Sequence, residues 1–167
     1  TYDGKSYSIT ASAAHSDSTL YYSTDAGDEK TWSTENPTYT DVTTKTVYVK
    51  ATNPNYEDSF GQATVKIAQK AVTVTAVDNG KVYGTANDPE LKAGVDGTLN
   101  GDKIAYTLTR KAGEEAGTYP ITFVEPVLSQ GNYVVTFVPA TFTITKADAS
   151  GNTVSATGVD TTYDGKS

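Results

Sequence analysis

The sequence contains one histidine, and this is the only side chain whose ordinary pKa suits acid–base chemistry near neutral pH. His15 lies among Ser12, Ser16 and Asp17. A Ser-His-Asp arrangement requires groups that rigid elements bring together, and a single polar loop rarely provides this. The chain also has no Cys to act as a nucleophile. We therefore predict no catalytic residue and no enzymatic activity.

Two groups of acidic residues are candidates for a metal or for proton transfer. Asp25, Asp28 and Glu29 offer oxygens to Ca²⁺, but they lack the alternate-position spacing of calcium loops. Glu114 and Glu115 are adjacent, so their side chains point apart and do not form an acid–base pair. One histidine without Cys gives no transition-metal site. We predict that the chain binds no metal and no cofactor.

Aromatic residues are the strongest candidates for ligand contact, since the chain has 12 Tyr, 4 Phe and 1 Trp. Tyr21, Tyr22, Trp32 and Tyr39 lie close in sequence. Exposed together, such rings would form a platform for a glycan, a mucin or a host protein. The alternative is that these rings pack at the edge of the core with their hydroxyls in water. The sequence leaves both interpretations open.

Charge and composition exclude several partners. The net charge is −7 with a pI near 4.6, which argues against nucleic acid because phosphate binding uses clustered Lys and Arg. No run of about 18 apolar residues occurs, so we expect no membrane insertion in this part of the chain. Many Thr and Tyr with no Met favour strands over helices. The absence of Cys in an extracellular protein points to a bacterial lineage.

Apolar residues recur with a period of two along most of the chain, which is typical of half-buried strands. Tyr119, two residues after Gly117, is placed like the tyrosine corner of immunoglobulin-like folds. The segment Asn87-Asp88-Pro89 permits a single helical turn. The alternation predicts strands at residues 7–11, 20–23, 46–50, 63–67, 72–76, 103–110, 117–123, 132–138 and 141–146.

The two ends of the sequence are identical. Residues 1–6 return unchanged as residues 162–167. Such an identity is improbable at the ends of an arbitrary domain, so it predicts one full period of a tandem array plus the start of the next unit.

The sequence also repeats itself within this period. Asn55-Tyr56 matches Asn132-Tyr133, and Ala63-Thr64 matches Ala140-Thr141 at the same spacing. At a slightly longer spacing, the segment that opens the second half recurs in the tail: Thr73-Val74-Thr75-Ala76 matches Thr153-Val154-Ser155-Ala156. The two units are therefore expected to share one topology.

These matches predict the domain boundaries. Residues 1–70 form a first domain that lacks its opening strand, and residues 71–147 form a second domain. Residues 148–167 are a linker and the first strand of the next repeat. The junction has no Gly or Pro near Lys70, so it should be short and stiff. We expect residues 152–157 to pair with the first domain of a neighbouring copy.

The predicted fold class is all-β, with two tandem small antiparallel β domains. An Ig-like sandwich is the expected architecture, because alternating strands bury one face and leave Thr and charged residues outside. A β-grasp-like arrangement is the alternative. It requires a helix at residues 88–94 packed on the sheet.

Several motifs of the second unit carry a resemblance to a known family: Val82-Tyr83-Gly84, Asp88-Pro89-Glu90-Leu91, Leu99-Asn100-Gly101-Asp102, Gly117-Thr118-Tyr119-Pro120-Ile121, Asn132-Tyr133 and Phe142-Thr143-Ile144. They resemble the MBG domain of the YG type. The first unit, with Tyr2-Asp3-Gly4, Tyr22-Ser23, Trp32 and Tyr48-Val49-Lys50, is similar to YDG-type repeats.

The two resemblances imply a stalk or spacer repeat of a large bacterial cell-surface adhesin, which projects a distal binding region. They imply an extracellular location, with anchoring to the cell wall through a distal part of the parent chain. The implied partners are neighbouring repeats of the same protein. A host glycan or protein is the further partner if the aromatic platform forms, in which case the chain is itself an adhesion module.

Overall fold

The computed structural model describes residues 1–151, 153–158, 162 and 165, and this part of the chain is all-β, as predicted. Two short 3-10 helices, Glu29–Thr31 and Ala149–Gly151, accompany the strands. No helix of the described residues has the length and apolar character needed to cross a membrane. The strands are β1 (Thr19–Ser23), β2 (Thr43–Asn53), β3 (Tyr56–Ile67), β4 (Lys70–Ala76), β5 (Asn79–Val82), β6 (Ala93–Asp96), β7 (Leu108–Arg110), β8 (Gly117–Phe123), β9 (Ser129–Gln130), β10 (Tyr133–Val138) and β11 (Ala140–Thr145).

The first unit is an antiparallel sheet in the order β1-β2-β3. The long β2–β3 hairpin turns at Pro54 and Asn55, where the Asn53 side chain accepts a hydrogen bond from the Asn55 amide at 2.9 Å. The face that carries Val47, Val65 and Ile67 is buried. The alternation in the sequence therefore decides which face of this sheet enters the core.

The strand predicted at residues 7–11 does not form, and only Tyr7 pairs, with Tyr39. Pro37 stops the ladder because it lacks the amide donor that the next antiparallel pair would need. The Asn36 side chain donates to the Ile9 carbonyl instead, at 2.7 Å. Ile9 is nevertheless buried, so this segment fills the core without extending the sheet.

The second unit has two four-stranded sheets, β6-β4-β10-β9 and β5-β11-β8-β7. Ile121, Phe142 and Ile144 are buried in a core of this unit, as a sandwich-like fold requires. The sheets are mixed and not purely antiparallel, since β4 pairs with β10 and β5 pairs with β11 in parallel. Parallel pairing needs a long connection between the strands, and here β6 to β9 provide it.

The chain passes from one sheet of this unit to the other twice, from β4 to β5 and from β10 to β11, and the two crossings lie side by side. Pro139 separates β10 from β11, and Val77 and Asp78 separate β4 from β5. The Asp78 side chain accepts a hydrogen bond from the Thr141 amide at 2.8 Å, which ties the two crossings together. In the first unit the repeat spacing places Gln62 at the position of Pro139, and β3 runs through this position without a break.

The β-grasp-like alternative required a helix at residues 88–94, and this segment is instead irregular until β6 begins at Ala93. Hydrogen bonds to the preceding residues hold this segment, since the Val77 amide donates to the Lys92 carbonyl at 2.9 Å. The Asn79 side chain also donates to the Glu90 carbonyl, at 3.0 Å.

The predicted tail strand lies partly outside the described residues, because Asn152 is not among them. Residues 153–157 are exposed and adopt no strand. Val154 is 89% exposed, the highest value among the large hydrophobic residues that the structure describes.

Candidate functional site

The junction between the two units consists of only two residues, Ala68 and Gln69, between β3 and β4. The Gln69 side-chain amide donates to the Ser129 hydroxyl at 2.7 Å and to the Gly131 carbonyl at 3.0 Å. A connection this short, tied to the turn before β10, leaves the units little freedom to rotate.

Tyr2 inserts between the units and is 7% exposed. Its amide donates to the Ala68 carbonyl of the junction at 2.7 Å. Its ring meets the Tyr133 ring edge to face, with centroids 5.6 Å apart and an interplanar angle of 87°. This geometry is the favoured one for two aromatic rings, so Tyr2 locks the first unit against β10 of the second.

Asp102 organises the polar side of this contact. Its carboxylate accepts a hydrogen bond from the Tyr133 hydroxyl at 2.6 Å and a longer one from the Tyr2 hydroxyl at 3.5 Å. The Tyr133 hydroxyl in turn accepts from the Leu99 amide at 3.0 Å. Burial, together with the bond to Asp102, raises the pKa of Tyr133, so this hydroxyl stays protonated and remains a donor.

Gly4 lies where the first unit approaches the loop that carries Asp102, and its positive φ favours glycine. Gly4 has φ +76°, and a Cβ atom there would lie 2.7 Å from the Asn100 side-chain nitrogen. The pattern Tyr2-Asp3-Gly4 thus supplies a ring that fills the junction and a backbone position that permits close contact.

Asn132 joins the residues just before β2 to the start of β4. Its side-chain oxygen accepts from the Val42 amide at 2.8 Å, and its side-chain nitrogen donates to the Asp41 carboxylate at 2.8 Å. Its own carbonyl accepts from the Lys70 amide at 2.9 Å. One side chain therefore pairs with backbone and carboxylate of the first unit while its backbone holds the start of β4.

The apolar core is continuous across this junction. A single cluster of buried residues contains members of the first unit, of the second unit and Tyr2 itself. Its buried members are Tyr2, Ile9, Val47, Val65, Ile67, Val72, Val74, Ile104, Tyr133 and Val135. The sequence predicted a short connection, which the structure has, and the structure adds the contacts of Tyr2, Asp102 and Asn132 across it.

The four aromatic residues predicted as a ligand platform lie on two faces of the β1-β2-β3 sheet. Tyr22 and Tyr39 are partly buried and pack against the shared core. Tyr21 is the strand neighbour of Tyr22 and therefore points to the opposite face. On that face the Lys50 ammonium lies 5.6 Å from the Tyr21 ring centroid and 5.3 Å from the Trp32 ring centroid.

Phe60 completes this group, which we call the outer aromatic patch. It consists of three half-buried residues, Tyr21, Trp32 and Lys50, and the exposed Phe60. The Trp32 and Phe60 rings meet edge to face at 6.3 Å, and Phe60 is 69% exposed. Lys50 pairs in register with Tyr21 on one side and with Phe60 on the other. Sequence analysis missed Phe60 and Lys50. The register of the hairpin shifts by one residue between Ala51 and Asn53, so counting outward from the turn would have placed Lys50 opposite Ser59 and not opposite Phe60.

A small cavity of about 310 Å³ adjoins this patch, lined in part by Trp32, Tyr48 and Phe60. Ring faces beside a cation suit contact with a polar, partly apolar ligand. A larger groove of about 600 Å³ lies between the 9–18 segment and the β2–β3 hairpin. In this groove the rings of His15 and Tyr56 stack, with centroids 4.0 Å apart.

A network of ion pairs occupies one end of the second unit. Lys81 contacts Asp88 at 2.9 Å and Glu114 at 2.5 Å, and Arg110 contacts the same two carboxylates at 2.5 and 2.6 Å. The Lys81 and Arg110 side chains are only 4% and 9% exposed. The Arg110 guanidinium also lies 4.8 Å from the Phe142 ring centroid. The network therefore covers the core of this unit.

The charges in this network reinforce one another. Hydrogen bonds from Arg110 and then Lys81 lower the pKa of Asp88 from 3.8 to about 2. Hydrogen bonds from Lys81 and Arg110 likewise lower the pKa of Glu114, and both carboxylates raise the pKa of Lys81. All four groups are charged at neutral pH and each has an opposite partner, which is typical of a structural network.

The remaining polar candidates have local roles. Asp25 accepts from the Gly27 amide and Asp28 from the Lys30 amide, each at 2.9 Å, so both carboxylates close turns. The Tyr119 hydroxyl donates to the Glu115 carbonyl at 2.8 Å, which confirms the predicted tyrosine corner. Within residues 1–151 and the described tail positions, no three His, Asp or Glu side chains converge as metal ligands would.

The fold is all-β, and residues on the two sides of the junction share one core cluster and several hydrogen bonds. Residues 72–143 match the MBG domain (YGX type), which confirms the resemblance predicted for the second unit. This family suggests a repeat of bacterial surface proteins. The first unit lies outside the matched residues. No curated protein and no solved structure matches the chain.

Proposed function

We propose that the chain is a spacer repeat in the stalk of a large bacterial cell-surface adhesin, and that it has no enzymatic activity. The observation that carries this proposal is the junction, where Tyr2, Asp102 and Asn132 join two small units across a two-residue connection. A stalk must hold a distal region away from the cell, so it must resist bending. A junction with a continuous core resists bending.

The location follows from the same proposal. The parent protein would be extracellular and attached to the cell wall through a distal part of its chain, with neighbouring repeats as the partners of this segment. The match of residues 72–143 to the MBG domain supports a surface location. The net charge of −7 keeps like surfaces apart and favours an extended, soluble array.

Tandem proteins with one, two and three copies of residues 1–161 test the spacer proposal by small-angle X-ray scattering. Each added copy should lengthen the maximum dimension by a constant step of roughly 60 to 80 Å, as two aligned compact units of this size would. A dimension that grows much less than in proportion to the number of copies would mean that the units fold back on one another, and the spacer role would be abandoned.

The outer aromatic patch supports a second candidate function, direct adhesion to a host glycan, mucin or protein. Its favouring observation is the grouping of the half-buried Trp32 and the exposed Phe60 around Lys50. A glycan array probed with the intact chain tests this function, with Trp32→Ala as the variant and Tyr83→Ala, an exposed tyrosine of the second unit, as the matched control. Reproducible binding that Trp32→Ala alone removes would establish adhesion.

A further inference from the structure

The sequence contains two Asn-Gly pairs, Asn79-Gly80 and Asn100-Gly101. Asparagine in such a pair loses ammonia without an enzyme when the backbone nitrogen of the next residue attacks the side-chain carbonyl carbon and closes a five-membered ring. Glycine favours this attack, because it has no side chain to cover its nitrogen and restricts the backbone least. The structure places the two pairs in very different surroundings.

Asn100 and Gly101 are the two central residues of a tight turn in the loop that carries Asp102. Both have a positive φ, 55° and 77°, and the Asp102 amide donates to the Leu99 carbonyl at 2.8 Å, as in the type I′ turns that Asn-Gly favours. Both residues are exposed. Among the described residues, the Gly101 amide and the Asn100 side chain form no hydrogen bond. No hydrogen bond therefore has to break before the nitrogen attacks.

The pair Asn79-Gly80 is held by the sheet and by hydrogen bonds of its side chain. Both residues are half-buried in β5 and pair with β11, opposite Phe142 and Thr143. The Asn79 side chain donates to the Glu90 carbonyl at 3.0 Å and accepts from the Gly80 amide at 2.8 Å. Ring closure requires the backbone and the side chain to rotate, so it must wait until β5 opens.

We propose that Asn100 is a site of spontaneous deamidation and that the products weaken the junction between the two units. The Gly101 nitrogen bonds to the Asn100 Cγ atom, the bond from Cγ to Nδ2 breaks, and ammonia leaves with the proton of the Gly101 amide. Water then opens the ring. Opening at the side-chain carbonyl gives aspartate, and opening at the main-chain carbonyl gives isoaspartate. This inference does not depend on the spacer role.

Both products change the loop that holds the Tyr133 hydroxyl. Each adds a negative charge two residues before Asp102, whose carboxylate accepts from Tyr133 at 2.6 Å, and like charges repel. Isoaspartate also adds one carbon to the main chain of the turn, which displaces the Leu99 amide from the Tyr133 hydroxyl, 3.0 Å away. A Cβ atom on Gly4 of the first unit would lie 2.7 Å from the Asn100 side-chain nitrogen, so the reaction occurs where the units meet.

Peptide mapping by mass spectrometry tests the site, and the chain supplies its own control. Trypsin releases residues 71–81 and 93–103 as peptides of equal length, each with one Asn-Gly pair. The full chain is incubated for several weeks at mildly alkaline pH, either folded or unfolded in urea. In the folded chain, Asn100 should deamidate faster than Asn79 by about tenfold or more, because Asn79 reacts only when β5 opens. In urea the two rates should be similar.

Two results would overturn the assignment of Asn100. One is a rate in the folded chain that is no higher at Asn100 than at Asn79. The other is reaction of both pairs in urea and of neither in the folded chain, which would mean that the turn itself prevents ring closure.

The variant Asn100→Gly tests the effect on the junction, since glycine keeps the positive φ and has no amide to lose. After incubation of the folded chains, the urea midpoint of the wild type should fall and that of Asn100→Gly should not. The fall should be smaller in Tyr133→Phe, which lacks the hydroxyl that the loop holds. An unchanged midpoint in the deamidated wild type, or an equal fall in Tyr133→Phe, would contradict the proposed weakening of the junction.

Discussion

Two tyrosines at the junction share one carboxylate, but their hydroxyl groups contribute unequally. The Tyr133 hydroxyl donates to Asp102 at 2.6 Å and accepts from the Leu99 amide, whereas the Tyr2 hydroxyl is 3.5 Å from Asp102. Removing the Tyr133 hydroxyl leaves both a carboxylate and a backbone amide short of a partner. Removing the Tyr2 hydroxyl takes away only a long and weak bond.

We therefore expect Tyr133→Phe to lower the free energy of unfolding by about 1 to 2 kcal/mol. Tyr2→Phe should change it by less than about 0.5 kcal/mol, because the ring that packs against Tyr133 is retained. Urea denaturation of the two variants and the wild type measures the difference. Equal losses would mean that the hydroxyl of Tyr133 has no special role at the junction.

A second residue-scale prediction concerns pH and Asp88. Because Arg110 and Lys81 lower the pKa of Asp88 to about 2 in the folded state, its charge stabilises the fold fully above the unfolded pKa, near 4. This contribution is lost as the pH falls from about 4 through 2. Partial exposure screens the pairing, so the contribution at neutral pH is about 1 kcal/mol.

Asp88→Asn should accordingly be less stable than the wild type at pH 7, with the difference shrinking towards pH 2. Asp96→Asn is the matched control, since Asp96 is exposed and its side chain forms no hydrogen bond among the described residues. Urea unfolding at several pH values checks this. A stability difference for Asp88→Asn that stays constant down to pH 2 would rule out the charge pairing as its cause.

At the scale of elements, strand β5 depends on Gly80, although its sequence is typical of a turn. Asp78-Asn79-Gly80 has the composition of a turn, yet Asn79–Val82 forms a strand paired with β11. A Cβ atom on Gly80 would lie 2.4 Å from the Thr143 carbonyl oxygen. Glycine is thus required for the close approach of two backbones, which is one of its uses inside a strand.

Gly80→Ala should therefore destabilise the second unit by about 2 kcal/mol or more, because β5 must move away from β11. Gly94→Ala is the matched control in a strand of the same unit, since nothing lies within 4 Å of its Cβ position. Thermal unfolding followed by circular dichroism measures both. A Gly80→Ala variant as stable as Gly94→Ala would show that the two strands separate at little cost.

The sequence predicted the elements that carry regular alternation and missed those that do not. The strand at residues 117–123 is found with the bounds predicted, because Tyr119, Ile121 and Phe123 share one face. The short strands β5, β6 and β9 have too few residues to establish a period. The parallel pairing of β4 with β10 was also beyond prediction, since these strands lie far apart in the chain and alternation does not specify a partner.

The contacts at the candidate sites were likewise predicted only in part. Proximity in sequence predicted that Tyr21 and Trp32 would meet, and both contact Lys50. It also grouped Tyr22 and Tyr39 with them, although strand geometry sends Tyr22 to the other face. The contacts at the junction could not be predicted from the sequence. Tyr2 and Asp102 lie in different units, and only the relative placement of the two units brings them together.

At the scale of the whole molecule, the spacer role requires that the two units behave as one rigid body. Tyr2 lies in the core cluster that residues of both units share, so its removal should weaken the contact between the units. Tyr2→Ala should lower the total stability by about 3 to 5 kcal/mol, as loss of a buried aromatic ring does, and should separate unfolding into two transitions. Differential scanning calorimetry detects this change, and one unaltered transition would contradict it.

The distribution of distances between the units tests the rigid junction most directly. Spin labels attached to cysteines at Thr19→Cys and Thr109→Cys report this distribution in a double electron–electron resonance measurement. Both positions are exposed and lie on strands of different units. We predict one narrow distance in the otherwise unaltered chain and in the control variant Tyr83→Ala. Tyr2→Ala combined with Asn132→Ala should broaden it. A distribution already broad with the junction intact would show that the units move independently, and it would contradict the proposal that this chain is a stiff spacer.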